Sequence, residues 1–194
     1  LVLLLPTYET SVWDVGAEMH NEREKAKRIF AKIIAAYPGE LRGRFRLVKA
    51  FYYAHLFYWD ENADTLTEHP IVKMDRGPGV KDYRGLLGEL CSEKQIEEVE
   101  AKPVEGESNR LFRLIESIAL DEEDEEDRAI IRACKHVAKY SREELTEKTH
   151  RESHSWKEAK EGCTLDIYRD LMNEDEYSKM CGELAKLRSQ VKLG

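Results

Sequence analysis

His150 and His154 stand four residues apart, a spacing that on one helix turns two imidazoles toward the same metal ion. The residues between them are Arg151, Glu152 and Ser153, not the Glu-x-x of a zinc-protease helix. No third ligand follows from spacing, since Cys163 or Asp166 would have to be delivered by the fold. The simpler reading is a histidine at the end of a capped helix that hydrogen-bonds locally. Among the four cysteines, Cys91, Cys134, Cys163 and Cys181, no CxxC or other ligand spacing occurs, so they read as isolated, mostly buried thiols in a reducing cytoplasm. No serine sits in G-x-S-x-G, no phosphate-binding or dinucleotide glycine pattern is present, and no cysteine stands beside a convincing histidine. Neither catalysis nor a cofactor is expected from these residues.

Other polar residues invite a binding role or a structural one. His55 lies on an apolar helix face and is expected to pair with a backbone or tyrosine oxygen in the core. Arg76 precedes Gly77-Pro78, where a positioned cation can recognise a carboxylate. Tyr83, Tyr140 and Trp156 are expected to be core residues with a polar rim.

The elements that must position these side chains are mainly helical. Residues 18–37 place Ala26, Ile29, Phe30, Ile33, Ile34 and Tyr37 at helical spacing, and Pro38-Gly39 ends the run. From about Glu40 to Trp59, Leu41, Phe45, Val48, Tyr52, His55 and Trp59 form one stripe. Leu47, Phe51, Ala54 and Tyr58 form a second beside it. Two stripes predict a helix buried round much of its circumference, the central core element, with Arg42, Arg46 and Lys49 on what remains. Asp60–Thr67 reads as a polar connection, His69–Met74 as extended, Arg76–Gly79 as a turn, and Val80–Leu90 as a helix. Gln95–Lys102 and Asn109–Ile115 are read as a β-hairpin, although 110–120 also fits a helix. The unbroken acidic run Asp121–Asp127 is expected to open a helix, where negative charge suits the macrodipole. Ser141 with Glu144 is a capping box that starts a helix carrying Leu145 and Thr149 inward. A last helix covers about Glu174–Val191. The expected fold is a single mainly α domain round a buried central helix, with a small β-hairpin. It divides into residues 1–17 as an extension, 18–172 as the helical domain, and 173–194 as a C-terminal helix packed on it.

Four segments, in order, resemble the Panacea family, the SocA-like antitoxin and adaptor domains of bacteria and phages. Leu47-Val-Lys-Ala-Phe-Tyr-Tyr-Ala-His55 is similar to that family's central helix, with Lys49, Tyr52 and His55 at its marked positions. Ile71–Val80 with Arg76, Gly77 and Pro78, followed by Tyr83, looks like its extended segment, Gly-Pro turn and helix. Thr149-His150 ends the capped helix, and Trp156-Lys-Glu-Ala159 with Ile167 resembles the closing segment. The likeness spans roughly residues 24–172. It departs at Gly79, where an aliphatic residue is expected, and at the spacer Ser153-His154-Ser155, which is longer and lacks a proline. The helix beyond Asn173 lies outside it.

The resemblance implies a binding protein: a toxin-specific interface on a common helical scaffold, sometimes delivering the toxin to a protease. Its partner would be a cognate toxin. Two alternatives come from the residues themselves. One is a DNA-binding regulator using the basic 23–49 region, where Arg23, Lys25, Lys27, Arg28, Lys32, Arg42, Arg44, Arg46 and Lys49 face only Glu24 and Glu40. The other is a metal-dependent enzyme at His150 and His154. A net charge of −8 argues against a general nucleic-acid or membrane-surface binder. The opening Leu-Val-Leu-Leu-Leu-Pro has neither the length nor the basic flank of a signal peptide or a membrane span, and a cytoplasmic protein is expected.

Overall fold

The computed structural model describes residues 12–191, with side chains described from Met19 to Arg188. The opening apolar residues lie outside that range. Helix α1 (Val12–Ala36) starts earlier than its apolar spacing predicts, and its Ala26, Ile29, Phe30 and Ile33 are fully buried. Helix α2 (Gly43–Asn62) follows and is the spine of the molecule. It packs most extensively on α4 (Glu125–Val137) and also touches α1 and the β2–β3 hairpin described below. Leu47, Ala50, Phe51, Tyr52 and Ala54 are within 1% of complete burial, so the expected central core helix is present, although Tyr58 and Trp59 at its C-terminal end are only half-buried. Phe30 and Phe51 meet edge to face at 5.2 Å at the α1–α2 contact.

Several sequence expectations need correction. Leu41 and Arg42 do not belong to the central helix. They form strand β1, which pairs with β5 (Arg110–Leu114) in the register Leu41 opposite Phe112. Gly43, with φ of +75°, makes the turn from strand to helix. Phe45 is only half-buried, whereas Arg46 and Lys49 are buried at 9% and 2% exposure. The arc assigned to basic residues is therefore not a solvent face. The segment Arg76–Gly79 is not a turn. The turn is Asp75-Arg76, and Gly77–Val80 is strand β3, paired antiparallel with β2 (Ile71–Met74) so that Lys73 lies opposite Pro78. Helix α3 begins at Tyr83 rather than Val80 and runs to Ser92, capped by Asp82, whose side chain accepts from the Gly85 N–H.

The expected hairpin of 95–115 forms as β4 (Ile96–Glu100) and β5, in a three-stranded sheet of order β1-β5-β4. The helical alternative for 110–120 is thereby excluded. In the acidic run, Asp124 is the N-cap of α4 and accepts from the Asp127 N–H at 2.9 Å. Glu126 and Asp127 close on Lys32 of α1 at 2.7 and 2.6 Å, which ties the two helices together. Helix α5 (Arg142–Glu152) carries the complete capping box of Ser141 and Glu144. Short helices α6 (His154–Glu158) and α7 (Tyr168–Leu171) lead to α8 (Glu174–Val191). In α8, Tyr177 and Met180 are partly buried, but Leu184 and Leu187 remain uncovered, at 44% and 57% exposure. The cysteines are all free, but only Cys134 is buried; Cys163 and Cys181 are exposed.

Candidate functional site

The residues singled out by sequence meet round the β2–β3 hairpin. Lys49 reaches from α2 to donate its Nζ to the Pro78 carbonyl at 3.1 Å. It has no ion-pair partner among the described residues, and burial lowers its pKa to about 7. Gly77 lies directly beside it with φ of +95°. A Cβ on Gly77 would sit 2.6 Å from Lys49 Nζ and 2.5 Å from Thr149 Oγ1, so only glycine fits. Thr149 is fully buried on α5, and its hydroxyl donates to the carbonyls of Leu145 and Thr146 at 3.0 and 3.1 Å.

His150 and Trp156 close the same cluster from the next turn. Their rings stack at 3.9 Å with only 12° between planes. The indole N–H donates to the Met74 carbonyl at 2.8 Å, pinning α6 to the end of β2. Lys73 also lies over the indole, its Nζ 4.4 Å from the Trp156 ring centre and bonded to the Ala159 carbonyl. Burial lowers the pKa of His150, and the nearby charge of Lys49 lowers it further. His154 sits on a different helix from His150, because the chain turns extended at Ser153. The spacing argument for a shared metal requires one continuous helix and so fails here. Among the described residues, no three His, Cys, Asp or Glu side chains are grouped to hold a metal ion.

Tyr52 and His55 point elsewhere from the same helix. Tyr52 donates to Asp170 at 3.1 Å, and that carboxylate also accepts from the Ser153 and Ser155 hydroxyls at 2.6 Å and the Ser155 N–H at 2.8 Å. Desolvation, with the Asp170 charge beside it, raises the Tyr52 pKa well above its usual value. His55 is buried with Nδ1 facing the Phe51 carbonyl at 3.2 Å and Nε2 facing that of Thr67 at 3.0 Å. The expected backbone pairing of this core histidine is thus present, and burial holds its pKa below the ordinary imidazole value.

Arg76 and Tyr83 stand at the rim of an adjoining cavity of about 730 Å³, bounded by the start of α2, the β2–β3 tip and the β4–β5 loop. Sequence reading missed Asp170, Ser153 and Ser155 as a bonded group, and missed Arg142 at this cavity. Ser153 was legible as a cap, since it stands three residues before Trp156, whose N–H it accepts at 3.1 Å. No comparable signal marks Asp170.

The basic 23–49 region is largely matched within the fold. Arg23 pairs with Glu89 at 2.6 Å, Lys27 with Glu93 at 2.6 Å, Arg44 with Glu98 at 2.9 Å and Arg46 with Glu107 at 2.5 Å. No helix among the described residues is long and apolar enough to cross a membrane.

Compared with known proteins, the chain matches the family model described as "Antitoxin SocA-like, Panacea domain" over residues 47–157, more than half its length. No curated protein and no solved structure matches it.

Proposed function

Because the chain belongs to the SocA-like, Panacea-domain antitoxin family, we propose that it is an antitoxin that neutralises a cognate toxin by direct binding. The match over residues 47–157 is the observation that carries this reading. The cluster inside that span supports it. Lys49, Gly77, Pro78, Thr149, His150 and Trp156 hold the hairpin to α2, α5 and α6, and Tyr52 and His55 bond within the core. In this reading they build a scaffold and perform no chemistry, and the toxin is held by the surface round them. A stoichiometric interface of this kind buries roughly 1,200–2,000 Å² in total. Delivery of the bound toxin to a protease is part of the same proposal, and the free thiols are in keeping with a reducing cytoplasm.

The basic 23–49 region gives the DNA-binding reading little support, since the cations of α1 and α2 mostly face carboxylates of the same chain. The test is co-expression with the product of the adjacent gene. Growth arrest by the neighbour alone, relieved by this protein, with a stable complex on size exclusion, is the expected result. A toxic neighbour that this protein neither binds nor neutralises would refute it. Adaptor action is read separately, as a shortened toxin half-life that depends on both this protein and a protease.

A further inference from the structure

The cavity beside the hairpin is unusually rich in positive charge. Its walls carry eight basic side chains against three carboxylates, Asp75, Glu98 and Glu107. Two of those carboxylates are already engaged, by Arg44 and Arg46, and Arg42 is paired with Glu40. Lys49, Arg76, Arg84, Arg110 and Arg142 have no carboxylate partner among the described residues, and Asp75 is the one lining carboxylate left over.

Exposed cations at a rim are ordinary, and Arg76, Arg84 and Arg110 are exposed. Lys49 and Arg142 are not. The Arg142 guanidinium carbon lies 5.2 Å from the Phe45 ring centre and the Lys49 Nζ 5.6 Å from the same centre, so the two basic side chains gather round one ring. The Nε of Arg142 is shut off from water and has no hydrogen-bond partner. A buried donor in that state costs free energy, which a turn of the Arg142 side chain onto a ligand acceptor would recover. The first turn of α2 opens at the same place with no acidic residue and no side-chain cap on its N–H groups.

We propose that this cavity binds a small molecule carrying two or three phosphate groups, held by Arg142, Arg110 and Arg76 with Lys49 at its floor. The planar guanidinium fork fits phosphate oxygens, and the cavity volume falls in the range of small-molecule sites. A single carboxylate would leave most of the unpaired cations unmatched, whereas a di- or triphosphate carries charge comparable to theirs. The proposal does not require the toxin and is tested on the protein alone.

The experiment is calorimetric titration of the full chain at low salt with inorganic phosphate, pyrophosphate, tripolyphosphate and magnesium-free ATP. Affinity is expected to rise with the number of phosphates. Arg142→Gln and Arg110→Gln should each weaken tripolyphosphate binding about tenfold, the worth of one charge-assisted contact. Lys179→Gln on α8 should leave it unchanged. Thermal melts of each variant separate lost binding from lost folding, and the exposed position of Arg110 keeps that variant informative. ATP binding as tightly as tripolyphosphate supports a site that reads phosphates, and tighter binding adds a nucleoside contact. Absence of saturable tripolyphosphate binding at millimolar concentration would overturn the proposal. So would undiminished binding in the Arg142→Gln/Arg110→Gln double variant, or a glutamate-rich peptide competing more tightly than tripolyphosphate.

Discussion

Replacing Gly77 with alanine probes the signature cluster at its most crowded point. Two costs arise. The backbone at φ of +95° disfavours any Cβ, by about 1–2 kcal/mol. The new methyl would also lie 2.5 Å from Thr149 Oγ1 and 2.6 Å from Lys49 Nζ. Neither neighbour gives way freely, since Thr149 is bonded to two carbonyls of its own helix and Lys49 to that of Pro78. Crowding of this kind costs about 1–3 kcal/mol. Gly39 supplies the control, because its φ is +86° but a methyl there would meet nothing within 4 Å. Gly39→Ala should therefore show only the backbone cost, and in both variants the stiffer unfolded chain offsets part of the loss. Urea unfolding followed by tryptophan fluorescence reads the difference. With a slope of about 2 kcal/mol per molar urea, Gly77→Ala should lower the midpoint by roughly 1–2 M, and Gly39→Ala by clearly less. Equal shifts in the two variants would refute the packing argument.

Lys49→Met should stabilise the protein at pH 7 and flatten its pH dependence. The folded-state pKa near 7 lies below the unfolded value of about 10.4, so the unfolded chain holds the extra proton between them. Stability of the wild type from this group is therefore lowest below pH 7 and rises toward pH 10, by on the order of a few kcal/mol. Urea melts of both proteins at pH 7 and 9.5 check this, and a parallel pH response in the two would contradict it. Asp170→Ala removes the acceptor of three hydroxyls and one N–H, leaving the Ser153 and Ser155 hydroxyls only each other, and should cost about 3 kcal/mol. For a chain of this size that is a fall in Tm of about 6–12 °C by differential scanning calorimetry, and a fall of under 2 °C would show that water replaces the carboxylate.

Features governed by local rules were legible in the sequence. The Ser141–Glu144 capping box, the buried central helix α2 and the 95–115 hairpin each follow from nearest-neighbour chemistry or a simple period, and each is present. The Gly77-Pro78-Gly79 segment misleads because glycine and proline usually mark a turn. Here Gly77 is needed for a close approach to Thr149 and Lys49, and the turn falls one step earlier. The charge of Lys49 argues for solvent and so for an open arc of the helix. Its neighbours Leu47, Val48, Ala50 and Phe51 are the better guide. Asp170 lies beyond sequence reasoning altogether. Its donors are 15, 17 and 118 residues away, and only the tertiary fold sets such a meeting. The uncovered apolar residues of α8 have the opposite lesson, since helical spacing shows that a face exists but not that anything packs on it.

The hairpin cluster draws on stretches that leave the ribosome at very different moments. Roughly 100 residues separate Lys49 from Trp156, whose indole seals the end of β2. At about 5–20 residues per second, the hairpin and its lysine wait on the order of 5–20 s for their cover to be synthesised. During that interval the Met74 carbonyl has no indole to accept from. The cluster is thus closed late: a chain stopped short of residue 156 carries Lys49 and the Pro78 carbonyl it bonds to, but lacks the indole that seals the end of β2.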